Sequence, residues 1–178
     1  MVSTVIFDMD DTLYASTTGF SEHRNNEVAI RFMTERLGFE SAAEAAALRN
    51  VYFQQYHSTL KGLTVADSEG KLPRKFVASE LAEYWAANCR FRDFLKPNAT
   101  LARDLQDLKC KRVLFTNGPR AYGLKCLEAL GLRELFADED VFGVEDVMPH
   151  CKPEKEAFLK VLRGADPRTA VMVEDSMK

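Results

Sequence analysis

The sequence predicts an α/β fold in which a doubly wound parallel sheet carries an inserted helical domain. The run Val5-Ile6-Phe7 is apolar at consecutive positions, which is typical of a strand buried on both faces of a parallel sheet. From Pro97 onward, helical patterns alternate with short apolar runs, and this alternation favours a sheet with helices on both faces. Between these regions the pattern is helical. We therefore predict a core of residues 1–14 and 96–178 and an all-helical domain of residues 15–95.

The helical domain is predicted to be a small bundle of three helices. The first spans about Ser21 to Leu37 and is suited to end at Gly38. The second begins at Ser41, where Ser-Ala-Ala-Glu is a capping box, and the third spans Phe76 to Asn88. The polar, glycine-containing stretch from Gly62 to Pro73 is predicted to be a loop. The residues expected on the apolar faces of the second and third helices are Leu48, Val51, Tyr52, Val77, Leu81, Tyr84 and Trp85.

The core is predicted to contain three further strands and three helices. The strands are expected at Arg112–Thr116, Val141–Val144 and Thr169–Val173. One helix carries Leu101, Leu105 and Leu108, a second runs from Pro119 to Leu130 and is closed by Gly131, and a third runs from Pro153 to Leu162 with Pro153 in its first turn.

Composition narrows the classes of function. The chain has 178 residues, of which 46% are hydrophobic, and a net charge of −3, so neither a nucleic-acid polymer nor an anionic membrane is an expected partner. No apolar run has the length of a membrane span, and the N-terminus lacks the pattern of a signal peptide. The four cysteines are scattered without a Cys-x-x-Cys pair, which favours reduced thiols and a cytoplasmic location.

Two carboxylates directly follow the first predicted strand. Asp8 and Asp10 come after Phe7, and Thr12 follows them. The carboxyl ends of parallel strands carry binding groups, so both acids are expected at the mouth of the sheet. There they suit a hard cation such as Mg²⁺, and a carboxylate can also serve as a covalent nucleophile. The alternative is a solvated turn with a helix cap.

Polar residues follow the other core segments as well. Thr116 and Asn117 follow the second strand and are suited to bind phosphate oxygens or, alternatively, to cap the next helix. Lys152 precedes a helix and can pair with a phosphate and a carboxylate, or be solvated at the surface. Glu174 and Asp175 follow the fourth strand. Crowding them beside the first pair of acids is costly unless a cation neutralises them, which is the physical argument for a metal.

The four segments in this order resemble the haloacid dehalogenase-like hydrolase superfamily. The order is Asp-x-Asp-x-Thr, Thr-Asn-Gly, Lys-Pro and Glu-Asp-Ser. The resemblance covers essentially the whole chain, and the helices between the first two motifs look like the helical cap of its first subclass. It implies a Rossmann-like core and phosphatase chemistry. True dehalogenases lack the second acid and pump-type ATPases place threonine there, so the presence of Asp10 disfavours both.

The resemblance also implies a role for each motif residue. Asp8 attacks phosphorus, and Asp10 protonates the leaving oxygen and then activates water. Thr12, Thr116, Asn117 and Lys152 form the phosphate-binding part of the site. Thr12 also helps to hold the loop of Asp10, Thr116 and Asn117 bind the phosphoryl group, and Lys152 neutralises it. Mg²⁺ is held by Asp8, the main-chain carbonyl of Asp10 and Asp175, with Glu174 nearby.

A closer resemblance is to the pyrimidine 5′-nucleotidase branch, carried by the three segments Phe7–Tyr14, Phe115–Pro119 and Phe142–Asp146 and, more loosely, by Tyr56–Leu63. It implies a nucleoside 5′-monophosphate as substrate, with Tyr14, Tyr56 and His57 as candidate contacts to base or sugar. The core motifs leave open a phosphoglycolate or sugar-phosphate phosphatase, a phosphomutase, and a non-catalytic binding protein that keeps the fold.

The position of the fourth strand is a further expectation. The family core usually continues past the fourth motif into another helix and strand, whereas this sequence ends at Lys178. By analogy with the family's strand order, the fourth strand is then expected at a sheet edge, with unpaired main-chain groups. A natural short form, a fragment, and a partner such as a second copy that covers the edge remain the open explanations.

Overall fold

The computed structural model describes residues 1–176 and contains one sheet of four parallel strands. The strands are β1 (Thr4–Phe7), β2 (Lys111–Phe115), β3 (Val141–Phe142) and β4 (Ala170–Val173). Their order is β3-β2-β1-β4, so β1 lies in the interior with β2 on one side and β4 on the other. All four residues of β1 are buried, as predicted for an apolar run in a parallel sheet.

The helices connect these strands and fill the long segment after β1. The α-helices are α1 (Phe20–Glu22), α2 (Ala29–Glu35), α3 (Ala42–Tyr56), α4 (Thr59–Ser68), α5 (Ala78–Asn88), α6 (Phe91–Phe94), α7 (Ala99–Asp107), α8 (Arg120–Leu130) and α9 (Lys155–Leu162). A π-helix, His23–Val28, joins α1 to α2, so residues 20–35 form one continuous helical stretch. Short 3₁₀ helices lie at Ser16–Thr18, Arg133–Leu135, Asp138–Asp140, Val144–Asp146 and Pro167–Thr169.

The sheet has an apolar cluster on each face, which confirms the predicted doubly wound α/β core. On one face Ile6, Val113 and Phe115 pack with Ala157 and Val161 of α9. The other face contributes to a larger cluster, in which the strand residues Val5, Phe7, Leu114 and Val141 lie with residues of α7 and α8. Side chains of a strand alternate between its two faces, so neighbouring residues of β1 enter different clusters.

Residues 16–94, called the helical segment below, share the larger apolar cluster with the core. The ring of Phe20 stacks on Tyr122 of α8, with their centroids 6.0 Å apart, and the ring of Trp85 meets Tyr122 at 5.5 Å. The helical segment and the core therefore meet in a continuous apolar contact. The domain boundaries at residues 14/15 and 95/96 stay a prediction.

Several predicted helix ends are confirmed at the level of single residues. The Ser41 hydroxyl accepts a hydrogen bond from the Glu44 main-chain N–H at 3.2 Å and so caps α3. Gly131 ends α8 with a φ of +70°, and Gly38 has a φ of +80° just beyond α2. These left-handed conformations favour glycine, which explains why the sequence marks the ends there.

Other expectations about the elements are wrong. The predicted loop from Gly62 to Pro73 contains most of α4, which begins after the capping residue Ser58 and buries Leu60, Leu63 and Ala66. The last helix begins at Lys155 with Glu154 as its cap, so Pro153 precedes the helix instead of lying in its first turn. Val51 and Val77 are 56% and 42% exposed and do not belong to the packed faces of their helices.

The strand β4 lies at the edge of the sheet, as predicted. Among the described residues it pairs only with β1, and its side chains alternate between half-buried and exposed. Val171 and Val173 are 44% and 39% exposed. The outer edge of this strand therefore presents unpaired main-chain groups, and Val171 and Val173 add exposed apolar surface on the adjoining sheet face.

Candidate active site

The predicted site residues converge at the carboxyl ends of the strands. Asp8 follows β1, Asn117 follows β2, Lys152 lies shortly before α9, and Glu174 and Asp175 follow β4. These five residues and Asp10 line one cavity of about 660 Å³. The parallel arrangement of the strands brings together residues that are more than 160 positions apart in the sequence.

Asp8 and Lys152 form a buried ion pair at the base of the cavity. The ammonium of Lys152 lies 2.5 Å from the Asp8 carboxylate and 2.7 Å from the Glu174 carboxylate. Burial raises the pKa of Asp8 to about 7; Lys152 opposes the shift, while the charges of Asp10 and Glu174 add to it. Burial would also raise the pKa of Glu174, but Lys152 outweighs it and holds that pKa below its usual value.

The acids around Lys152 have the composition of a site for a hard cation. Asp8, Glu174 and Asp175 each offer a carboxylate oxygen, and these atoms all lie within 4.8 Å of one another. Partial burial and the neighbouring Glu174 raise the pKa of Asp175. The three carboxylates thus lie close together, and two of them, Asp8 and Glu174, pair with the Lys152 ammonium. A divalent cation with oxygen ligands would offset the remaining negative charge. The residues present therefore fit Mg²⁺.

Asp10 lines the cavity, but its carboxylate is not part of this acidic cluster. The hydroxyls of Tyr14 and Tyr122 each donate to one of its oxygens at 2.6 Å, and Arg24 donates to the other at 2.5 Å. Burial would raise the pKa of Asp10, but the charge of Arg24 and these hydrogen bonds outweigh it and lower that pKa. The side chain of Asp10 is thus held apart from the candidate metal ligands.

The predicted phosphate-binding residues Thr116, Asn117 and Thr12 differ from one another in their hydrogen-bond partners. The buried Thr116 hydroxyl accepts from the Gly118 N–H at 2.9 Å, which leaves its own hydrogen to donate. The Asn117 side chain instead bonds the main chain of Lys152 twice, donating at 3.0 Å and accepting at 2.9 Å. The Thr12 hydroxyl accepts from the Asp175 N–H at 3.0 Å. Asn117 and Thr12 therefore hold the loops of Lys152 and Asp175 in place, and their contact with a phosphate stays a prediction.

The helical segment contributes further side chains to the cavity. Asn25, Phe53 and His57 line it, and the rings of Phe53 and His57 meet edge to face with centroids 6.0 Å apart. Of the three predicted contacts to a base or sugar, only His57 lines the cavity. Tyr14 is bonded to Asp10, and the ring of Tyr56 lies 5.0 Å from the Lys61 ammonium instead.

A corner of the helical segment is fixed to the core beside the site. The Ser58 hydroxyl donates to the Asn117 carbonyl at 2.7 Å, and the Lys61 ammonium lies 2.6 Å from the Glu154 carboxylate. The Cys151 thiol lies 3.4 Å from the Tyr56 carbonyl. The corner between α3 and α4 is therefore bonded to the two loops that carry Asn117 and Lys152.

The ion pair of Lys61 and Glu154 should add acid-sensitive stability. The Lys61 hydrogen bond lowers the pKa of Glu154 from 4.5 to about 2, so the stabilisation is complete above pH 4.5 and is lost as the pH falls towards 2. The Lys61→Met variant should therefore lose less stability than the wild type between pH 6 and pH 3 in urea unfolding. The expected cost at pH 6 is below about 1 kcal/mol, because Glu154 is partly exposed. The exposed neighbour Lys155→Met is the control, and equal pH profiles for Lys61→Met and wild type would contradict the prediction.

Sequence reasoning missed Arg24, Phe53 and Tyr122. Arg24 had a detectable signal, because it lies at helical spacing between the apolar residues Phe20 and Val28. A charged residue in an apolar stripe requires a buried partner, which here is Asp10. The partner itself was not predictable, since it depends on how the helical segment packs on the core.

In residues 1–176 no helix combines the length and apolar character needed to cross a membrane.

Comparison with known proteins agrees with the fold and the motifs. The chain is 29% identical over 165 residues to phosphate metabolism protein 8 of Saccharomyces cerevisiae; the match covers 86% of this chain and 46% of that protein. The chain thus spans about half the length of this relative.

A solved structure has the same fold. It is the orthorhombic form of the HAD-hydrolase YfnB from Bacillus subtilis bound to magnesium, with a TM-score of 0.50 and 23% identity, covering 96% of this chain and 78% of that chain. The model of the haloacid dehalogenase-like hydrolases matches residues 2–178, which is nearly the whole sequence. Residues of all four motifs line one cavity at the carboxyl ends of the parallel strands. The chain belongs to the haloacid dehalogenase-like hydrolase family.

Proposed function

We propose that this chain is a Mg²⁺-dependent phosphatase that hydrolyses a small phosphate ester through an aspartyl-phosphate intermediate. The observation that supports this most strongly is the buried pair of Asp8 and Lys152 beside Glu174 and Asp175, with Asp10 lining the same cavity. A carboxylate nucleophile, a cation and a second acid are what phosphoryl transfer through a covalent intermediate requires.

In the first step a carboxylate oxygen of Asp8 attacks phosphorus, and the bond between phosphorus and the ester oxygen breaks. The electron pair stays on the leaving oxygen, which takes the proton of Asp10 in its carboxylic acid form. In the second step water attacks the phosphoryl group and gives its proton to Asp10. The bond between phosphorus and Asp8 then breaks, which releases phosphate, restores the Asp8 carboxylate and leaves Asp10 protonated for the next cycle.

The charges of the site suit these steps. Lys152, which lines the cavity beside Asp8, would stabilise negative charge on the phosphoryl oxygens, and the Thr116 hydroxyl has a hydrogen left to donate to them. Asp8, Asp175 and the main-chain carbonyl of Asp10 would hold the Mg²⁺, with Glu174 beside them. When bound, the ion neutralises phosphoryl charge and offsets the repulsion among the acids.

We further propose a nucleoside 5′-monophosphate, of pyrimidine type, as the preferred ester. The aromatic rings of Phe53 and His57 line the cavity that contains Asp8, and aromatic side chains are suited to stack on bases. The resemblance of the core motifs to pyrimidine 5′-nucleotidases supports the same choice. The name of the yeast relative, phosphate metabolism protein 8, agrees with phosphate chemistry.

The test is phosphate release from a panel of esters, measured with Mg²⁺ and with a chelator. The panel contains UMP, CMP, AMP, phosphoglycolate, glucose phosphates and pyridoxal phosphate. We expect release that depends on Mg²⁺ and is fastest with UMP or CMP. Faster release from another ester would overturn the nucleotidase assignment but keep the chemistry, and isomerised product would indicate a mutase. No release from folded protein with Mg²⁺ would overturn the phosphatase proposal in favour of a binding role.

A further inference from the structure

The carboxylate of Asp10 is bonded by three donors that come from three different parts of the chain. Tyr14 lies in the loop after β1, Arg24 in the π-helix of the helical segment, and Tyr122 in α8 of the core. Their distances to Asp10 are 2.6, 2.5 and 2.6 Å, respectively. With both oxygens bonded, the carboxylate has little freedom to rotate. This is more restraint than a solvated turn residue would need.

Arg24 is the only one of these donors that belongs to the helical segment and carries a charge. Its side chain is 7% exposed, and Asp10 is its only carboxylate partner among residues 1–176. The guanidinium lies 4.8 Å from the centre of the Tyr122 ring and 5.2 Å from that of Trp85. These contacts fix the guanidinium by cation–π attraction. Burying an arginine is costly unless its charge is paired, and here the pair with Asp10 offsets that cost.

We infer that Arg24, assisted by Tyr122, is a positioning residue that holds the Asp10 carboxylate in its catalytic orientation. The inference rests on the proposed function, in which Asp10 transfers protons in both steps. Arg24 acts through Asp10, without touching the reacting atoms itself. Since Arg24 belongs to the helical segment, correct packing of this segment on the core becomes a condition for proton transfer. Misplacing such a group by about 1 Å can reduce a rate by about 10²-fold.

The need for Asp10 in the first step, cleavage of the ester, depends on the leaving group. Its need in the second step, hydrolysis of the aspartyl-phosphate, does not. An alkoxide, such as the 5′-oxygen of a nucleoside, needs a proton to depart. The p-nitrophenolate ion departs without one. Hydrolysis of the aspartyl-phosphate needs Asp10 as base whatever the ester was. Loss of Asp10 positioning should therefore spare the first step with p-nitrophenyl phosphate and slow the second, so that the phosphoenzyme accumulates.

The experiment compares wild type, Arg24→Gln, Arg24→Lys and Tyr122→Phe in rapid mixing with p-nitrophenyl phosphate and Mg²⁺. We expect Arg24→Gln to lower kcat by about 10- to 100-fold and to show a burst of p-nitrophenol close to one equivalent of enzyme. Arg24→Lys should recover part of the rate. Tyr122→Phe keeps the aromatic ring, so it should fold even if Arg24→Gln does not, and it should show a smaller loss with the same burst.

The effect on the nucleotide substrate provides a second readout. Arg24→Gln should lower kcat for a nucleoside monophosphate, and adding this change to Asp10→Asn should cause little further loss, because both act on the same group. Arg49→Gln is the matched control. Arg49 is also buried in the helical segment, but it lies over the ring of Phe53 and has no carboxylate partner among residues 1–176. It should show no burst.

Three results would overturn the inference: no burst in Arg24→Gln or Tyr122→Phe, a burst of equal size in Arg49→Gln, or losses that multiply when Arg24→Gln is combined with Asp10→Asn. Failure of the proposed function would look different. In that case the wild type itself would release no phosphate, or Asp8→Asn would remain active.

Discussion

The Asp8→Asn variant should have no measurable phosphatase activity while keeping the native fold. The amide is a poor nucleophile, so the aspartyl-phosphate cannot form. Its oxygen can still accept the hydrogen bond from Lys152, and Lys152 keeps its second partner, Glu174. The structure around the substitution should therefore stay intact.

The Asp8→Asn variant should also differ from the wild type in its free energy of unfolding. Burial raises the pKa of Asp8 from 3.8 to about 7, so without metal the folded chain resists ionisation of this carboxyl. The unfolded chain ionises near its ordinary value, and the folded state is therefore progressively disfavoured as the pH rises from about 4 to about 7. An amide has no such cost. At pH 8 in chelator, Asp8→Asn should be at least as stable as the wild type in urea unfolding.

The measurements are phosphate release with Mg²⁺ and urea unfolding in chelator. Asp140→Asn is the matched control, because Asp140 is also a buried acid that pairs with a lysine, Lys111, at 2.6 Å, but it lies outside the cavity. This control should keep its activity. Residual activity of Asp8→Asn above a reagent blank would refute covalent catalysis by Asp8, and a loss of stability would contradict the account of its buried charge.

Local chemistry explains which parts of the fold were predictable from the sequence. The strand β1 is apolar at consecutive positions because both of its faces are buried, and Gly131 marks a helix end because its φ is positive. In sequence, the segment of α4 resembles a loop because it is polar and contains Gly62. That glycine allows α4 to pack closely on α3, since a Cβ atom there would lie 3.0 Å from the Cβ of Tyr52. Such an approach between two helices leaves no local pattern.

The candidate site also contains residues that were predictable from the sequence and residues that were not. Asp8, Asn117, Lys152 and Asp175 were predictable as cavity residues because each lies within three residues of a strand end or helix start whose place in a parallel α/β fold is fixed. The partners of Asp10 were not found. Tyr122 is 112 positions away from Asp10 and lies inside α8, where a tyrosine resembles any core aromatic. Phe53 was missed for the same reason, since only the packing of α3 shows that its ring lines the cavity.

The Asp10→Asn variant should retain its fold but hydrolyse phosphate esters about 10²- to 10⁴-fold more slowly, the usual effect of removing a general acid and base. Asp8 and Lys152 would still be paired, so the nucleophile and the phosphate cation remain. Residual turnover is therefore expected, in contrast to Asp8→Asn. With p-nitrophenyl phosphate the first step should persist, and the phosphoenzyme should be detectable after an acid quench.

This substitution should also destabilise the protein, unlike the one at Asp8. An asparagine at position 10 has one acceptor oxygen for three donors, and its NH₂ group would face one of them. Arg24 would then be buried without a counter-charge, which typically costs about 3–5 kcal/mol. Urea unfolding at pH 7 measures this loss. Combining Asp10→Asn with Arg24→Gln removes both charges, so the double variant should be more stable than the sum of the single losses predicts.

The two measurements on Asp10→Asn separate its chemical role from its structural role. A kinetic loss of only a few-fold, with the expected loss of stability, would mean that another group transfers the protons and that Asp10 mainly binds the helical segment to the core. A large kinetic loss with no change in stability would mean that Arg24 does not depend on Asp10 for its charge balance. Both losses together are expected, because the same carboxylate faces the cavity and carries the only negative charge bonded to Arg24 among residues 1–176.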